Sequence, residues 1–160
     1  MELLQKIESK HATLGVIGLG YVGLPLAVEF ARAGFDVIGF DVDAHKVAEL
    51  MAGRSYIPDV ASEHLAEVVK SGKFKATTDA KALAAADIID ICVPTPLRKT
   101  KDPDMSYIVS ACQEIARYAH PGMLIILEST TLEGRRKMKR ALPHPDRRML
   151  ACMHESNKAF

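Results

Sequence analysis

Three glycines, Gly18, Gly20 and Gly23, follow a short apolar run that begins at Thr13, and an apolar helical pattern follows them. In a turn of this kind the first glycine allows a sharp change of direction, the second lets a pyrophosphate approach the backbone, and the third lets the helix pack closely. The N-terminus of the helix then faces the anion. A plain structural turn is the alternative, but the flanking strand and helix favour a dinucleotide-binding turn.

Asp41 supports the same interpretation. It ends the next apolar run, Asp36–Asp41, eighteen residues after Gly23. A carboxylate at the end of the second strand accepts hydrogen bonds from an adenosine ribose. The same carboxylate would repel the 2′-phosphate of NADP, and no arginine directly follows it. The sequence therefore predicts NAD as the cofactor rather than NADP.

Hydroxyl side chains follow two later apolar runs. Thr95 is flanked by two prolines, which restrict the backbone around it, and Ser129, Thr130 and Thr131 follow the last run. Hydroxyls at these places can contact the nicotinamide ribose or position a water molecule. Helix capping and turn formation remain the alternative, above all for Ser129 and Thr131.

The elements that must position these residues alternate between apolar runs and helical patterns, which is typical of a parallel α/β sheet. Strands are predicted at 13–17, 36–41, 74–77, 88–93 and 123–127, and helices at 22–33, 44–52, 62–71, 79–86 and 106–118. Right-handed crossovers order the strands 3-2-1-4-5, so the first and fourth meet at a topological switch point, where ligands bind. The predicted fold class is α/β, a Rossmann-type doubly wound parallel sheet in a single domain.

The charges divide the chain into unlike parts. Residues 1–134 carry 13 basic and 18 acidic side chains, a net charge of −5, whereas residues 135–160 carry 8 and 2, a net charge of +6. We therefore predict an N-terminal extension over 1–11, an NAD-binding domain over 12–134 and an atypical basic tail over 135–160. The tail is interpreted as disordered or as the product of a shifted reading frame. Nucleic-acid binding is disfavoured, because no aromatic platform is interleaved with its basic residues.

The composition limits the remaining possibilities. A chain of 160 residues with 48% hydrophobic residues suits one globular domain. Its apolar stretches fall short of the roughly 18 residues that a membrane-spanning helix needs, so we expect a cytoplasmic protein with no membrane partner. Cys92, Cys112 and Cys152 have the spacing of neither a disulfide framework nor a metal site, and no metal is predicted.

Four motifs in order resemble the NAD-binding domain of the UDP-glucose/GDP-mannose dehydrogenase family, the nucleotide-sugar 6-dehydrogenases. They are GLGYVGLP at 18–25, DVD at 41–43 followed by Lys46, VPTP at 93–96 and ESTT at 128–131. The stretches at 53–59 and 98–104 are more similar to the UDP-N-acetylhexosamine branch than to the UDP-glucose branch.

The resemblance implies a two-step, NAD-dependent oxidation of the sugar C6 alcohol to a carboxylate, through an aldehyde held on an enzyme cysteine. The motif that carries this cysteine does not occur in the chain, and the neighbours of Cys152 do not resemble it. We therefore predict that the chain alone is inactive. A UDP-sugar substrate and a homodimer are the partners implied for the full-length enzyme. A stand-alone NAD-binding or sensing module, or the NAD-binding domain of another dehydrogenase family, is the alternative.

Residue roles follow by motif match. Asp41 would bind the adenosine ribose, Lys46 would lie beside the adenosine or its phosphate, and Thr95 and Thr130 would line the nicotinamide end. Thr130 is also the catalytic candidate, as a residue that positions a water molecule. A solvated helix position is the alternative for Lys46. The predicted cofactor-binding residues are Gly18, Leu19, Gly20, Tyr21, Val22, Gly23, Asp41, Lys46, Val93, Thr95 and Thr130.

Overall fold

The computed structural model of the chain describes residues 2–99, 103–128 and 148–152. Within these residues a parallel sheet of six strands has the order β3-β2-β1-β4-β5-β6. The strands are β1 Thr13–Ile17, β2 Asp36–Phe40, β3 Phe74–Thr77, β4 Ile88–Ile91, β5 Leu124–Glu128 and β6 Arg148–Cys152. The predicted order of the first five strands and the fold class are confirmed.

Helices lie on both faces of the sheet. They are α1 Leu3–Glu8, α2 Gly23–Arg32, α3 Ala44–Met51, α4 Ser62–Lys70 and α5 Ser106–Tyr118, with a 3₁₀-helix at Ala80–Ala85. Gly34 and Gly53 have φ of 99° and 73°, and they follow α2 and α3 closely. This left-handed conformation costs glycine little, which explains why both helices end where they do. None of the described helices is long and apolar enough to cross a bilayer.

Two apolar layers enclose the sheet. One packs β1 and β2 against α2 and α4, with Val16, Leu24 and Leu65 fully buried. The other packs β4 and β5 against α5, where Ile108 and Ile115 are fully buried. Because β1 and β4 are neighbours while their crossovers leave toward opposite edges, a crevice opens at their carboxyl ends.

The N-terminal extension contains α1, a helix that the sequence analysis did not predict. Its residues Leu3 and Ile7 pack against the first apolar layer. The Lys6 ammonium lies 2.5 Å from an oxygen of Asp87, and the Lys10 ammonium lies 4.4 Å from the centroid of the Phe35 ring. These contacts fasten the extension to the amino end of the sheet.

The strand β6 is a second element that the sequence analysis did not predict, and it lies within residues 135–160. Its backbone pairs in parallel with β5 from Arg148 opposite Leu124 to Cys152 opposite Glu128. The uncharged run 149–153 follows two arginines within a segment of net charge +6, so the charge pattern hid the strand. Residues 129–147 and 153–160 lie outside the described residues, and the other statements about the tail stay predictions.

Candidate cofactor site

The glycine turn between β1 and α2 is built from close backbone contacts. Gly18 has φ of 90°, and a Cβ atom on it would lie 2.9 Å from the carbonyl oxygen of Cys92. A Cβ atom on Gly23 would lie 1.9 Å from the carbonyl oxygen of Gly18. The third glycine therefore packs against the first, not only against the sheet, and neither position has room for a side chain.

Gly20 differs from the other two glycines. A Cβ atom there would meet nothing within 4 Å, so the space above it is open. The helix α2 begins three residues later, and no side chain caps its N-terminus. The N–H of Leu24 donates to the carbonyl oxygen of Gly20 at 3.1 Å and Pro25 has no N–H, so the attraction of this helix end for an anion rests mainly on the helix dipole. By contrast, the side chain of Asp43 caps α3 by accepting hydrogen bonds from the N–H groups of His45 and Lys46.

Asp41 lies where the sequence predicts it, directly after β2, and it is only 8% exposed. Its Oδ2 accepts a hydrogen bond from the N–H of Leu19 at 3.0 Å, and its Oδ1 accepts one from the N–H of Asp43 at 3.0 Å. An ionised carboxylate has about four lone-pair directions, so both oxygens retain acceptor capacity. The same carboxylate can thus hold the glycine turn and accept from a ribose hydroxyl.

A groove of about 460 Å³ runs along the carboxyl ends of the strands. It is lined by Gly18, Gly20, Tyr21, Val22, Asp41, Lys46, Cys92, Val93, Pro94, Thr95 and Glu128. Eight of the predicted cofactor-binding residues are among them. Leu19 and Gly23 are buried behind the turn instead, and Thr130 lies outside the described residues, as do Ser129 and Thr131.

A second pocket of about 230 Å³ adjoins the groove, and both are lined by Gly18, Asp41 and Lys46. Apolar side chains dominate its rim, including Val42, which is 85% exposed, and Tyr107 at the start of α5. The sequence analysis did not single out either residue as a contact. Their positions offered a hint, because Val42 directly follows Asp41 and Tyr107 lies in the first turn of the helix after the β4 loop.

The loop after β4 is held by more than its prolines. The N–H of Asp104 donates to the carbonyl oxygen of Pro96 at 2.7 Å, and Leu97 and Pro103 form an antiparallel bridge. Arg98 donates to Asp104 at 2.8 Å, and this hydrogen bond lowers the pKa of the Asp104 carboxyl to about 2. The segment that carries Thr95 is therefore closed at its base by several contacts.

The surroundings of Cys92 and Cys112 disfavour nucleophilic catalysis by either thiol. Burial, together with Glu128, raises the pKa of Asp90 to about 7. The Sγ atom of Cys92 lies 3.8 Å from an oxygen of Asp90, and burial, Asp90 and Glu128 raise the pKa of the Cys92 thiol. Burial raises the pKa of Cys112 to about 11. A thiol of this kind is not ionised near neutral pH and is a poor nucleophile, so both cysteines serve packing.

Comparison with known proteins decides the family. A model of the NAD-binding domain of the UDP-glucose/GDP-mannose dehydrogenase family matches residues 12–145. The chain belongs to this family. Its membership confirms NAD as the cofactor and confirms the resemblance drawn from the four motifs.

Named relatives also confirm the UDP-N-acetylhexosamine branch. The UDP-N-acetyl-D-mannosamine dehydrogenase of Pyrococcus horikoshii is 39% identical over 132 residues, which are 81% of this chain and 31% of that protein. The enzyme of the same name from Escherichia coli K12 is 42% identical over 125 residues, 77% of this chain and 29% of that protein. The chain thus spans about three tenths of the length of these curated relatives.

A solved structure of UDP-D-ManNAc dehydrogenase from P. horikoshii superimposes with a TM-score of 0.80 at 32% identity. The match covers 91% of this chain and 37% of that structure's chain. The family match and this superposition agree on a Rossmann-type NAD-binding domain.

Proposed function

We propose that this chain binds NAD along the groove as the cofactor domain of a UDP-N-acetylhexosamine 6-dehydrogenase. The observation that carries the proposal is the open space above Gly20, bordered by the uncapped N-terminus of α2 and by the carboxylate of Asp41. These three features fit a pyrophosphate next to a ribose. The open backbone, the anion-attracting helix end and the carboxylate acceptor are supplied by this chain's own residues.

The direction of the cofactor follows from what surrounds the pyrophosphate position. The adenosine ribose would lie at Asp41, and the adenine would occupy the adjoining apolar pocket beside Val42 and Tyr107. The nicotinamide would extend the other way, toward Thr95 and Glu128, which line the groove but not the second pocket. Lys46 borders both pockets and supplies a positive charge near the adenosine phosphate.

In this proposal NAD accepts a hydride from C6 of the sugar when it is bound. The chain's residues would bind and orient the cofactor; Thr95 borders the groove at the reactive end, and we propose the same place for Thr130 from its motif alone. A nucleophile that could hold the aldehyde is not found in Cys92 or Cys112, whose pKa values are raised. We therefore propose that this chain alone turns over no nucleotide sugar, and that the full enzyme acts on a UDP-N-acetylhexosamine such as UDP-N-acetyl-D-mannosamine.

The proposal is tested by replacing the carboxylate of Asp41. Calorimetric titration of Asp41→Ala should show a loss of NAD affinity of about tenfold or more, because hydrogen bonds to a charged acceptor are lost. NADP affinity should fall less, since the repulsion of its 2′-phosphate also disappears. Asp36→Asn is the control, because Asp36 lies at the other end of the same strand, where it pairs with Lys73. Equal losses for NAD and NADP would refute the role of Asp41.

The lack of turnover has its own test. Absorbance of NADH is followed with the chain, NAD and each of UDP-GlcNAc, UDP-ManNAc and UDP-glucose. No sugar-dependent NADH should form, since hydride transfer needs a sugar held against the nicotinamide. Steady NADH formation with any of these sugars would overturn the proposal that this chain lacks the substrate chemistry.

We place the protein in the cytoplasm, where both NAD and nucleotide sugars occur, and we expect the full enzyme to form a homodimer. Light scattering of the full-length enzyme and fractionation of the source cells would test these statements directly.

A further inference from the structure

Tyr56 reaches the glycine turn from a distant part of the chain. It lies in the segment between α3 and α4, and its hydroxyl donates a hydrogen bond of 2.6 Å to the carbonyl oxygen of Leu19. The two residues are 37 positions apart. The Tyr56 ring is half-buried against the first apolar layer, so packing as well as the hydroxyl holds it in place.

The segment that carries Tyr56 is itself fastened. The N–H of Ser55 donates to the hydroxyl of Ser62 at 3.0 Å, which ties the segment to the start of α4. The Ser55 hydroxyl donates to the carbonyl oxygen of Ile57 at 3.1 Å, and Ile57 is buried. The segment that places the Tyr56 hydroxyl at the glycine turn is therefore itself held by hydrogen bonds and burial.

Leu19 is held on both sides of its α-carbon. Its N–H donates to Asp41 Oδ2 at 3.0 Å, its carbonyl oxygen accepts from Tyr56, and its side chain is fully buried. The carbonyl of Leu19 and the N–H of Gly20 belong to one planar trans peptide, in which the two groups point in opposite directions. Fixing the carbonyl toward Tyr56 therefore fixes the direction of the Gly20 N–H, and Gly20 borders the groove.

The charges nearby keep this hydroxyl a donor. Burial raises the pKa of Tyr56, and the carboxylates of Asp41 and Asp43 raise it further. A phenolate would have no proton to give to the Leu19 carbonyl, so the neutral form is the one that the contact requires. The Lys46 ammonium lies 5.9 Å from the centroid of the Tyr56 ring, on the side of the groove.

We infer that Tyr56 is a positioning residue for the cofactor: it orients the Leu19–Gly20 peptide so that the Gly20 N–H faces the pyrophosphate. The inference rests on the proposed binding of NAD in the groove, and it adds a residue from outside the four motifs to that function. Asp41 and Tyr56 then act on the two sides of Leu19, and only Asp41 also contacts the cofactor.

The test removes the hydroxyl and keeps the ring. Tyr56→Phe is titrated with NAD, with ADP-ribose and with adenosine, which lacks the pyrophosphate. The affinities for NAD and ADP-ribose should fall about tenfold, the size expected for one misdirected hydrogen bond to a charged group, while adenosine affinity stays within about twofold. Tyr118→Phe is the matched control, since Tyr118 lies at the far end of α5 and lines neither pocket.

A second measurement follows the turn without any ligand. In ¹H–¹⁵N spectra of the free protein, the amide resonance of Gly20 should shift in Tyr56→Phe and stay in place in Tyr118→Phe. Unchanged NAD affinity in Tyr56→Phe would overturn the inference, and so would an equal loss for adenosine or the unfolding of the variant. A wild-type chain that binds no NAD would instead overturn the proposed function, so the two failures are distinguishable.

Discussion

The two ends of the sheet are built in opposite ways. At the amino end, Lys6 pairs with Asp87, Lys10 lies over the Phe35 ring, and His120 Nε2 lies 3.0 Å from the carbonyl oxygen of Ala86. At the carboxyl end several large apolar side chains are exposed, among them Tyr21, Val22, Val42 and Leu97. At the amino end the polar groups form stabilising contacts within the protein. The carboxyl end instead has open backbone and apolar surface that a ligand can cover.

Asp87 and Asp90, which are three residues apart, differ in a similar way, because their pKa values are shifted in opposite directions. Partial burial alone would raise the pKa of Asp87, but hydrogen bonds from Lys6 and from the N–H of Thr13 outweigh it and lower that pKa. Asp90, three residues later, is 5% exposed, and burial raises its pKa to about 7. A carboxylate with cationic and backbone donors is stabilised as an anion, and a buried one without them is stabilised as the neutral acid.

The largest effect on NAD affinity is expected from Gly20→Val, at the carboxyl end of the sheet. The position is open and lies outside the left-handed region, so the fold should persist, while the branched side chain would occupy the proposed place of the pyrophosphate. Calorimetry should show more than about a 100-fold loss of NAD affinity, with an unchanged thermal midpoint by circular dichroism.

The mirror-image control is Gly34→Ala, at the amino end. Gly34 has φ of 99° and open surroundings, so alanine there should cost about 1 kcal/mol of stability through backbone strain and leave NAD affinity unchanged. If Gly34→Ala weakened NAD binding as much as Gly20→Val, the division between the two ends would be wrong.

The next largest effect is expected from Asp90→Asn, on the pH dependence of the free energy of unfolding. Because burial raises the pKa of Asp90 in the folded state, the fold favours the neutral carboxyl. The stability that depends on this neutral form is fully present below about pH 4 and is lost as the pH rises through about 7. Urea unfolding across this range should therefore show a loss on the order of 2 kcal/mol in the wild type that the asparagine variant lacks. An identical pH slope in both proteins would contradict the burial of a neutral Asp90.

The smallest effect is expected from Lys6→Met. Because the pKa of Asp87 is lowered in the folded state, its stabilisation is present above about pH 4 and is lost as the pH falls below that value. The methionine variant should lose about 0.5 to 1 kcal/mol near neutral pH, since the pair is partly exposed. The difference between variant and wild type should vanish in acid. A difference that is constant with pH would show that the Lys6 stem, not its charge, makes the contact.

The sequence predicted the strand order and the position of the crevice. Alternation of apolar runs and helical patterns, with right-handed crossovers, was enough for the strand order, and the spacing of Gly18 and Asp41 was enough to bring them to one crevice. The helix α1 was missed because six residues, three of them apolar, are too short a stretch to establish a helical period. The strand β6 was missed because two arginines begin it or precede it, within a segment of net charge +6 that was interpreted as a basic tail.

Contacts between distant segments were beyond such reasoning. Nothing in the spacing of Tyr56 relates it to Leu19, because the path of the chain between α3 and α4 is not periodic. The dual contact of Asp41 was hidden for a similar reason, since a motif specifies a residue type but not which backbone N–H its second oxygen meets. Tertiary hydrogen bonds of this kind are set by how distant segments pack, and local sequence patterns do not specify that packing.

The pairing of β1 with both β2 and β4 also constrains how the chain is made. Strands β1 to β3 lie within residues 13–77 and can associate early during synthesis, but β4 begins only at Ile88. Until β4 has emerged, one edge of β1 has no partner, although its Leu14 and Val16 are apolar. An unpaired apolar edge invites contact with another nascent chain. The switch point that creates the groove is thus also an apolar edge that stays unpaired until β4 arrives.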